Sequence, residues 1–105
     1  MKNLELFSET LKIVAETTDI PTQTIMSGAK QTEVVDARTI IIMTLADAGL
    51  YPNQIAALMR MTASNVRYIL TRRKTSKQLK NNYLRTANKL KTSCEQAFTR
   101  PINID

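Results

Sequence analysis

Residues 54–74 read QIAALMRMTASNVRYILTRRK, and the spacing of apolar residues in this stretch predicts two short helices around a tight turn. A helix-turn-helix motif needs inward apolar residues on its first helix, with a small residue where the helices cross. It also needs an apolar residue in the turn and two inward residues on the second helix. Ile55 and Met59 are the inward residues of the first helix, and Ala56 is the small residue. Met61 is the apolar residue of the turn, and Val66 and Ile69 are the inward residues of the second helix. The stretch therefore predicts a helix-turn-helix over about residues 52–73.

The turn of this motif carries residues that would direct the second helix towards DNA. Thr62 is a suitable N-cap, and the N-terminus of a helix starting near Ala63 would present free N–H groups to phosphate. Four polar residues near the start of that helix can bond to phosphates or base edges: Ser64, Asn65, Arg67 and Tyr68. The turn begins with Arg60, where glycine is commoner because the backbone often has positive φ. The alternative interpretation is two amphipathic core helices that meet at a bend.

Charge is distributed unevenly along the chain. The net charge is +6, and from Ala48 to Cys94 there are ten basic residues and no acidic one, whereas residues 1–47 hold seven acids and four bases. Bases without nearby counter-charges are expected to be solvated and open to a polyanion. This pattern favours nucleic acid as the partner over a basic surface that only aids solubility. At or beyond the end of the second helix, contacts to the DNA backbone are predicted for Arg72, Arg73 and Lys74.

The whole chain of 105 residues is predicted to form one all-α domain of five to six helices, since only two glycines and three prolines interrupt it. A first helix of about fifteen residues has an apolar face at Leu4, Phe7, Leu11 and Val14. A short helical turn around Ile25 and Met26 follows.

A third helix, which Thr32 can cap and Gly49 can end, is apolar on nearly all sides and is therefore predicted to be the central one. A long basic helix is predicted over about residues 75–98. It carries an apolar stripe at Leu79, Tyr83, Ala87, Leu90 and Phe98. The stripe either folds back on the domain or pairs with a second copy, and a homodimer of this motif would read two half-sites of DNA.

Several function classes are disfavoured by the residue types present. There is no histidine, and Cys94 is the one cysteine, so neither an internal disulfide nor the usual general base is available. Glu33 and Asp36 are interpreted as complements to a helix N-terminus or partners of Arg38 rather than as a catalytic pair. We expect no enzymatic activity, no cofactor and no metal. No apolar run suits a signal peptide or a membrane span, so a cytoplasmic, nucleoid-associated protein is expected.

Upstream of the motif, IVAETTDIPTQTIMSGAKQTEVVDARTIIIMTLADAGL followed by QIAALM resembles the C-terminal DNA-binding domain of the bacterial chromosomal replication initiator, DnaA. The resemblance covers about residues 10–72. It is carried by residues whose order and spacing match that family: Val14, Ala15, Glu16, Ile20, Ser27, Lys30, Glu33, Val34, Val35, Ala37, Arg38, Leu45, Ala46 and Ile55.

The resemblance implies a Trp-repressor-like fold that binds short sites in double-stranded DNA. It places Lys30 in the minor groove, Arg38 on a phosphate, and Ser64 and Asn65 where the family has two threonines. The family's Gly-Arg-Asp-His before those threonines is absent, so a different target sequence is implied. With glycine only at 28 and 49, the chain has no ATP-binding phosphate loop.

The sequence thus predicts a sequence-specific DNA-binding protein, with transcriptional regulation as its first expected role. A replication or mobile-element accessory protein is the alternative that the resemblance supports. A helical adaptor that binds another protein is the rival from a different class. Structured RNA is a weaker expectation, because single-strand recognition relies on exposed aromatic residues and few are present.

Overall fold

The computed structural model describes residues 2–72 and 80–92, which form helices joined by turns and short loops, with no strand among them. The helices are α1 (Asn3–Thr18), α2 (Thr22–Met26), α3 (Thr32–Asp47), α4 (Pro52–Met59), α5 (Ala63–Thr71) and α6 (80–92). The prediction of an all-α fold with five to six helices is confirmed. None of these described helices is both long and apolar enough to cross a membrane.

Helix α3 is the centre of the fold, as its apolar sequence predicts. Ala37, Ile40, Ile41, Ile42 and Leu45 are fully buried, and α1, α2, α4 and α5 all pack against this helix. It ends in a Schellman motif, in which the N–H of Leu50 bonds to the carbonyl of Leu45 at 3.1 Å. Gly49 has φ 102° there, a conformation that glycine adopts without strain, and so acts as the predicted end of the helix.

The predicted apolar face of α1 is partly wrong. Phe7 and Val14 are buried, but Leu4 is 65% exposed, and the helix buries Leu6 and Ile13 instead. Thr10 explains the error, because this polar residue lies on the buried face. Its hydroxyl donates to the carbonyl of Leu6 at 2.7 Å, which satisfies the buried group without a tertiary partner.

Two predicted helix ends differ from the structure. Gln31, not Thr32, is the N-cap of α3, and its side chain makes no capping bond. Helix α5 ends at Thr71, about two residues earlier than predicted, with Arg72 as its C-cap. Helix termini are set by capping and packing more than by periodicity, which is why sequence patterns locate them only roughly.

Helix α6 packs its apolar side against the rest of the chain. Leu90 is buried in the core, Tyr83 lies against it, and Thr86 is fully buried, with its hydroxyl donating to the carbonyl of Asn82 at 2.9 Å. Ala87 is half-buried on the same side, and the remaining members of the predicted stripe, Leu79 and Phe98, lie outside the described residues. The described part of the stripe therefore folds back on the domain, and dimerisation through this helix stays a prediction.

Candidate nucleic-acid interface

Helices α4 and α5 are joined by the three-residue turn that the sequence predicts. Pro52 occupies the first turn of α4, where its missing N–H costs nothing, and Gln54 Oε1 accepts a bond from the N–H of Tyr51 at 2.8 Å. The inward residues Ile55, Ala56, Met59 and Val66 are buried, while Met61 and Ile69 are half-buried against the same core. The two helices are thus held together by the residues that the motif pattern selects.

The turn between them bends at Arg60, which adopts the left-handed conformation with φ 57° and ψ 46°. The N–H of Met61 bonds back to the carbonyl of Ala56 at 2.9 Å and closes the end of α4. Positive φ is what makes glycine common at this position, so the backbone expectation is confirmed although the residue is arginine. A side chain with a Cβ is strained in this region of φ and ψ.

Thr62 caps α5 as predicted. Its backbone is extended, with φ −85° and ψ 149°, and its hydroxyl accepts a bond from the N–H of Asn65 at 3.1 Å. The N–H of Val66 bonds to the Thr62 carbonyl, which is the first bond of the helix. The N–H groups of Ala63 and Ser64 precede these bonds and lie at the positive end of a nine-residue helix.

A surface groove of about 580 Å³ lies beside this turn and helix. Its walls come from the loop after α2, the first half of α3, the turn and α5. The lining residues are Met26, Gly28, Lys30, Val35, Arg38, Thr39, Met59, Arg60, Met61, Thr62, Asn65, Tyr68 and Ile69. None of these side chains is acidic, and three are basic. Five of the ten predicted site residues (Lys30, Arg38, Thr62, Asn65 and Tyr68) are therefore brought together although they span 39 positions of sequence.

Lys30 reaches this groove from a loop with several hydrogen bonds of its own. Ser27 donates its hydroxyl to the carbonyl of Thr24 at 2.7 Å and accepts the N–H of Ala29 at 3.3 Å. Gly28 has φ 81°, which turns the chain. The guanidinium of Arg38, half-buried on α3, donates to the carbonyl of Ala29.

The remaining predicted residues lie around the groove rather than in its wall. Ser64 and Arg67 are exposed, and each precedes a groove-lining residue of α5, so each lies about 100° further round the helix. Arg72 places its guanidinium carbon 5.3 Å from the ring centre of Tyr68, which is 59% exposed. Arg73 and Lys74 lie outside the described residues.

Arg60 is the residue that sequence reasoning missed as a candidate contact. In the sequence it stands out only as a departure from glycine, yet in the structure it is exposed and lines the groove next to Thr62. A cation in a turn that immediately precedes a helix N-terminus is the signal that could have selected it, because both features favour the same phosphate.

The groove and α6 occupy different sides of α3. Val35, Arg38 and Thr39 face the groove, whereas Asp36, Ile40, Thr44 and Asp47 line the clefts beside α6. At 100° per residue these two faces of α3 are centred about 140° apart. Helix α6 therefore leaves the groove open.

Two other surfaces accompany this one. An apolar groove of about 480 Å³ between α1, α2 and α4 is lined in part by Leu4, Phe7, Leu11 and Leu58. A polar cleft beside α6 includes Glu33, Asp36 and Arg85 in its walls. Thr17 also lines that cleft, and its buried hydroxyl oxygen has no hydrogen-bond partner among the described residues.

No family model, curated protein or solved structure matches this chain. The resemblance to the replication initiator domain therefore rests on the residues of the chain and remains a prediction. Within residues 2–72 and 80–92, no three carboxylate, thiol or imidazole side chains come together as a metal site would require.

Proposed function

We propose that this protein binds double-stranded DNA in a sequence-specific way, through a helix-turn-helix formed by α4 and α5 in a Trp-repressor-like fold, and catalyses no reaction. The observation that carries the proposal is the groove beside α5. It combines three basic side chains, no acidic one, a capped helix N-terminus and the amide of Asn65. Such a concave basic surface suits a phosphate backbone, with base-reading groups close by.

Helix α5 is proposed to enter the major groove. Asn65 and Arg67 are the base-reading candidates, since asparagine can bond bidentately to adenine and arginine to guanine. Ser64 and Tyr68 lie close enough on the same exposed surface to contribute further contacts.

Contacts to the DNA backbone are proposed for the basic side chains around α5. Lys30 and Arg60 lie on two walls of the groove, and Arg72 stands at the end of α5. Their charges would neutralise phosphates and fix the orientation of the protein on the duplex. We propose the same role for Arg73 and Lys74, on the basis of their sequence position alone.

The first role that we propose is that of a small transcriptional regulator, because a DNA-binding module can regulate transcription by occupying a site. An accessory role in replication or in a mobile element is the alternative that the initiator resemblance supports. Either role would associate the protein with the nucleoid.

A helical adaptor is the rival from another class, and the apolar groove lined by Leu4, Phe7, Leu11 and Leu58 favours it. Leu4 is a large apolar side chain at 65% exposure, and exposed apolar patches commonly mark protein contacts. In this alternative the apolar groove binds the partner protein, and the basic charge is incidental to function.

Fluorescence anisotropy with random duplex DNA, single-stranded DNA and RNA separates these functions. We expect the duplex to bind most tightly, and log K to fall against log salt with a slope of about −3 or steeper, because several counterions are released. Absence of duplex binding at low salt would overturn the DNA proposal and favour the adaptor. Selection from a random duplex pool then tests whether binding is sequence-specific.

A matched pair of lysine variants tests whether the groove is the binding surface. Lys30→Ala should weaken duplex binding and reduce the magnitude of the salt slope by about 0.9, as expected for one lost phosphate contact. Lys12→Ala removes an equal charge from an exposed position of α1 that does not line the groove, and should leave the slope unchanged. Equal effects of the two changes would mean that only net charge matters.

A further inference from the structure

Ala29 is held from both sides by hydrogen bonds. Its N–H bonds to the hydroxyl of Ser27, and its carbonyl accepts the Arg38 guanidinium from a position nine residues further along the chain. Lys30 follows directly, so the bond from Arg38 ties the main chain beside Lys30 to α3, while the bond to Ser27 shapes the loop itself. The side chain of Lys30 is exposed and lines the groove.

Arg38 is itself half-buried in the first half of α3, where Ala37 on one side and Thr39 on the other are buried. One of its terminal nitrogens is used by the Ala29 carbonyl. The planar guanidinium carries several donors in a fixed geometry, which suits the bridging of a backbone carbonyl on a neighbouring segment.

We propose that Arg38 is a positioning residue, which holds the Ser27–Lys30 loop against α3 so that Lys30 meets the DNA, and that its contribution to binding passes through Lys30. This inference rests on the proposed DNA-binding function and assigns Arg38 a different task from direct phosphate contact. The two assignments differ measurably, because a residue that acts through Lys30 has nothing to add once Lys30 is removed.

A double-mutant cycle in duplex binding tests the assignment. We expect Arg38→Ala and Lys30→Ala to weaken binding by similar factors. The double variant should bind within about twofold of Lys30→Ala alone, since coupled residues are non-additive. The magnitude of the salt slope should decrease by about 0.9 in each single variant, and the double variant should show the same decrease as either single variant. If both residues contact phosphates, the effects multiply and the slope of the double variant falls by about 1.8.

The cycle needs a control pair and a readout without DNA. Arg67→Ala combined with Lys30→Ala should give multiplicative losses, because Arg67 lies on α5 and does not line the groove that Lys30 lines. In the free protein, Arg38→Ala should shift the backbone amide resonances of Ala29 and Lys30 and speed their hydrogen exchange, whereas α5 amides stay unchanged. Arg38→Lys, which keeps the charge but loses the planar fork, should reproduce most of the binding loss.

Three results decide the inference. Non-additive losses together with the loop-confined amide changes support it, whereas multiplicative losses or unperturbed Ala29 and Lys30 amides overturn it. If Arg38→Ala does not fold, the same cycle is run with Arg38→Lys and read in the same way. Failure of the unmodified protein to bind any duplex overturns the proposed function itself, and is therefore distinguishable from failure of this assignment.

Discussion

The hydroxyl of Thr62 accepts a hydrogen bond from the backbone N–H of Asn65 at 3.1 Å, so the N-cap of α5 also fixes the first residue of that helix that lines the groove. Thr62 therefore contributes both to the stability of α5 and to the position of Asn65, a base-reading candidate. It is thus the natural residue for separating folding from recognition.

Replacing Thr62 by alanine should lower the free energy of unfolding by about 1 kcal/mol, because the capping bond to the Asn65 N–H is lost. Thr62→Ser retains a hydroxyl at the same place and should keep most of that stability. Urea denaturation of the three proteins measures the difference. Equal losses for alanine and serine would mean that the methyl group of Thr62, not its hydroxyl, is what matters.

Arg60→Gly should stabilise the protein and weaken its binding to DNA at the same time. Glycine relieves the left-handed strain at φ 57°, worth about 1 kcal/mol, while the change removes a cation from the groove. Thermal or urea unfolding and duplex anisotropy measure the two effects separately. Arg60→Ala is the control, since it removes the cation but retains the strain. If it stabilises as much as glycine, relief of charge repulsion rather than backbone strain is the cause.

Asn65→Ala should relax the selected DNA sequence at one position, at a cost of about 1–3 kcal/mol for a lost bidentate contact to a base. Arg72→Ala should instead weaken all duplex sequences alike, because it removes a contact to the backbone. Binding to the selected site and to a scrambled duplex distinguishes the two patterns. Identical patterns for both variants would show that α5 does not read bases through Asn65.

Leu90→Ala should lower the free energy of unfolding by about 2 kcal/mol, because this side chain of α6 is buried in the core of its own chain. Leu84 on the same helix is 48% exposed, and Leu84→Ala should change stability by less than about 0.5 kcal/mol. If α6 is stabilised only by contacts within its own chain, the midpoint of urea unfolding does not depend on protein concentration. A midpoint that rises with concentration would instead indicate that α6 is stabilised by a second copy.

Thr17→Val should leave stability unchanged or raise it by up to about 1 kcal/mol, because it removes a buried hydroxyl that has no partner among the described residues. Thr10→Val is a matched comparison on the same helix, where the buried hydroxyl bonds to the Leu6 carbonyl. That change should cost about 1 kcal/mol. Urea unfolding compares the two, and an equal loss at Thr17 would show that its hydroxyl is satisfied in solution.

Local sequence features predict the pair of helices α4 and α5 well, but they predict poorly which side of α1 faces the core. Pro52, Met59 and Thr62 act through their own backbone or nearest neighbours, so their effects on α4 and α5 could be anticipated. Which side of α1 is buried depends on α3, and the polar Thr10 on the buried side conceals that face from a count of apolar positions.

The candidate site divides in the same way. Asn65 and Tyr68 share a face of one helix, which periodicity reveals, but their proximity to Lys30 depends on tertiary packing. The bond from Arg38 to the Ala29 carbonyl has no counterpart in spacing or composition, since it joins a side chain to the main chain of a separate loop. Sequence reasoning could therefore nominate these residues individually without showing that they share one groove.

Because α6 lies on a side of α3 about 140° from the groove, a label or tether can be attached to α6 without covering the groove. Asn81 and Asn88 are exposed on α6, and neither lines any groove or cleft described above. A dye or a sensor-chip tether placed at either position would leave α5 and the Lys30 loop accessible. Kinetic and single-molecule measurements could then follow the unmodified binding surface directly.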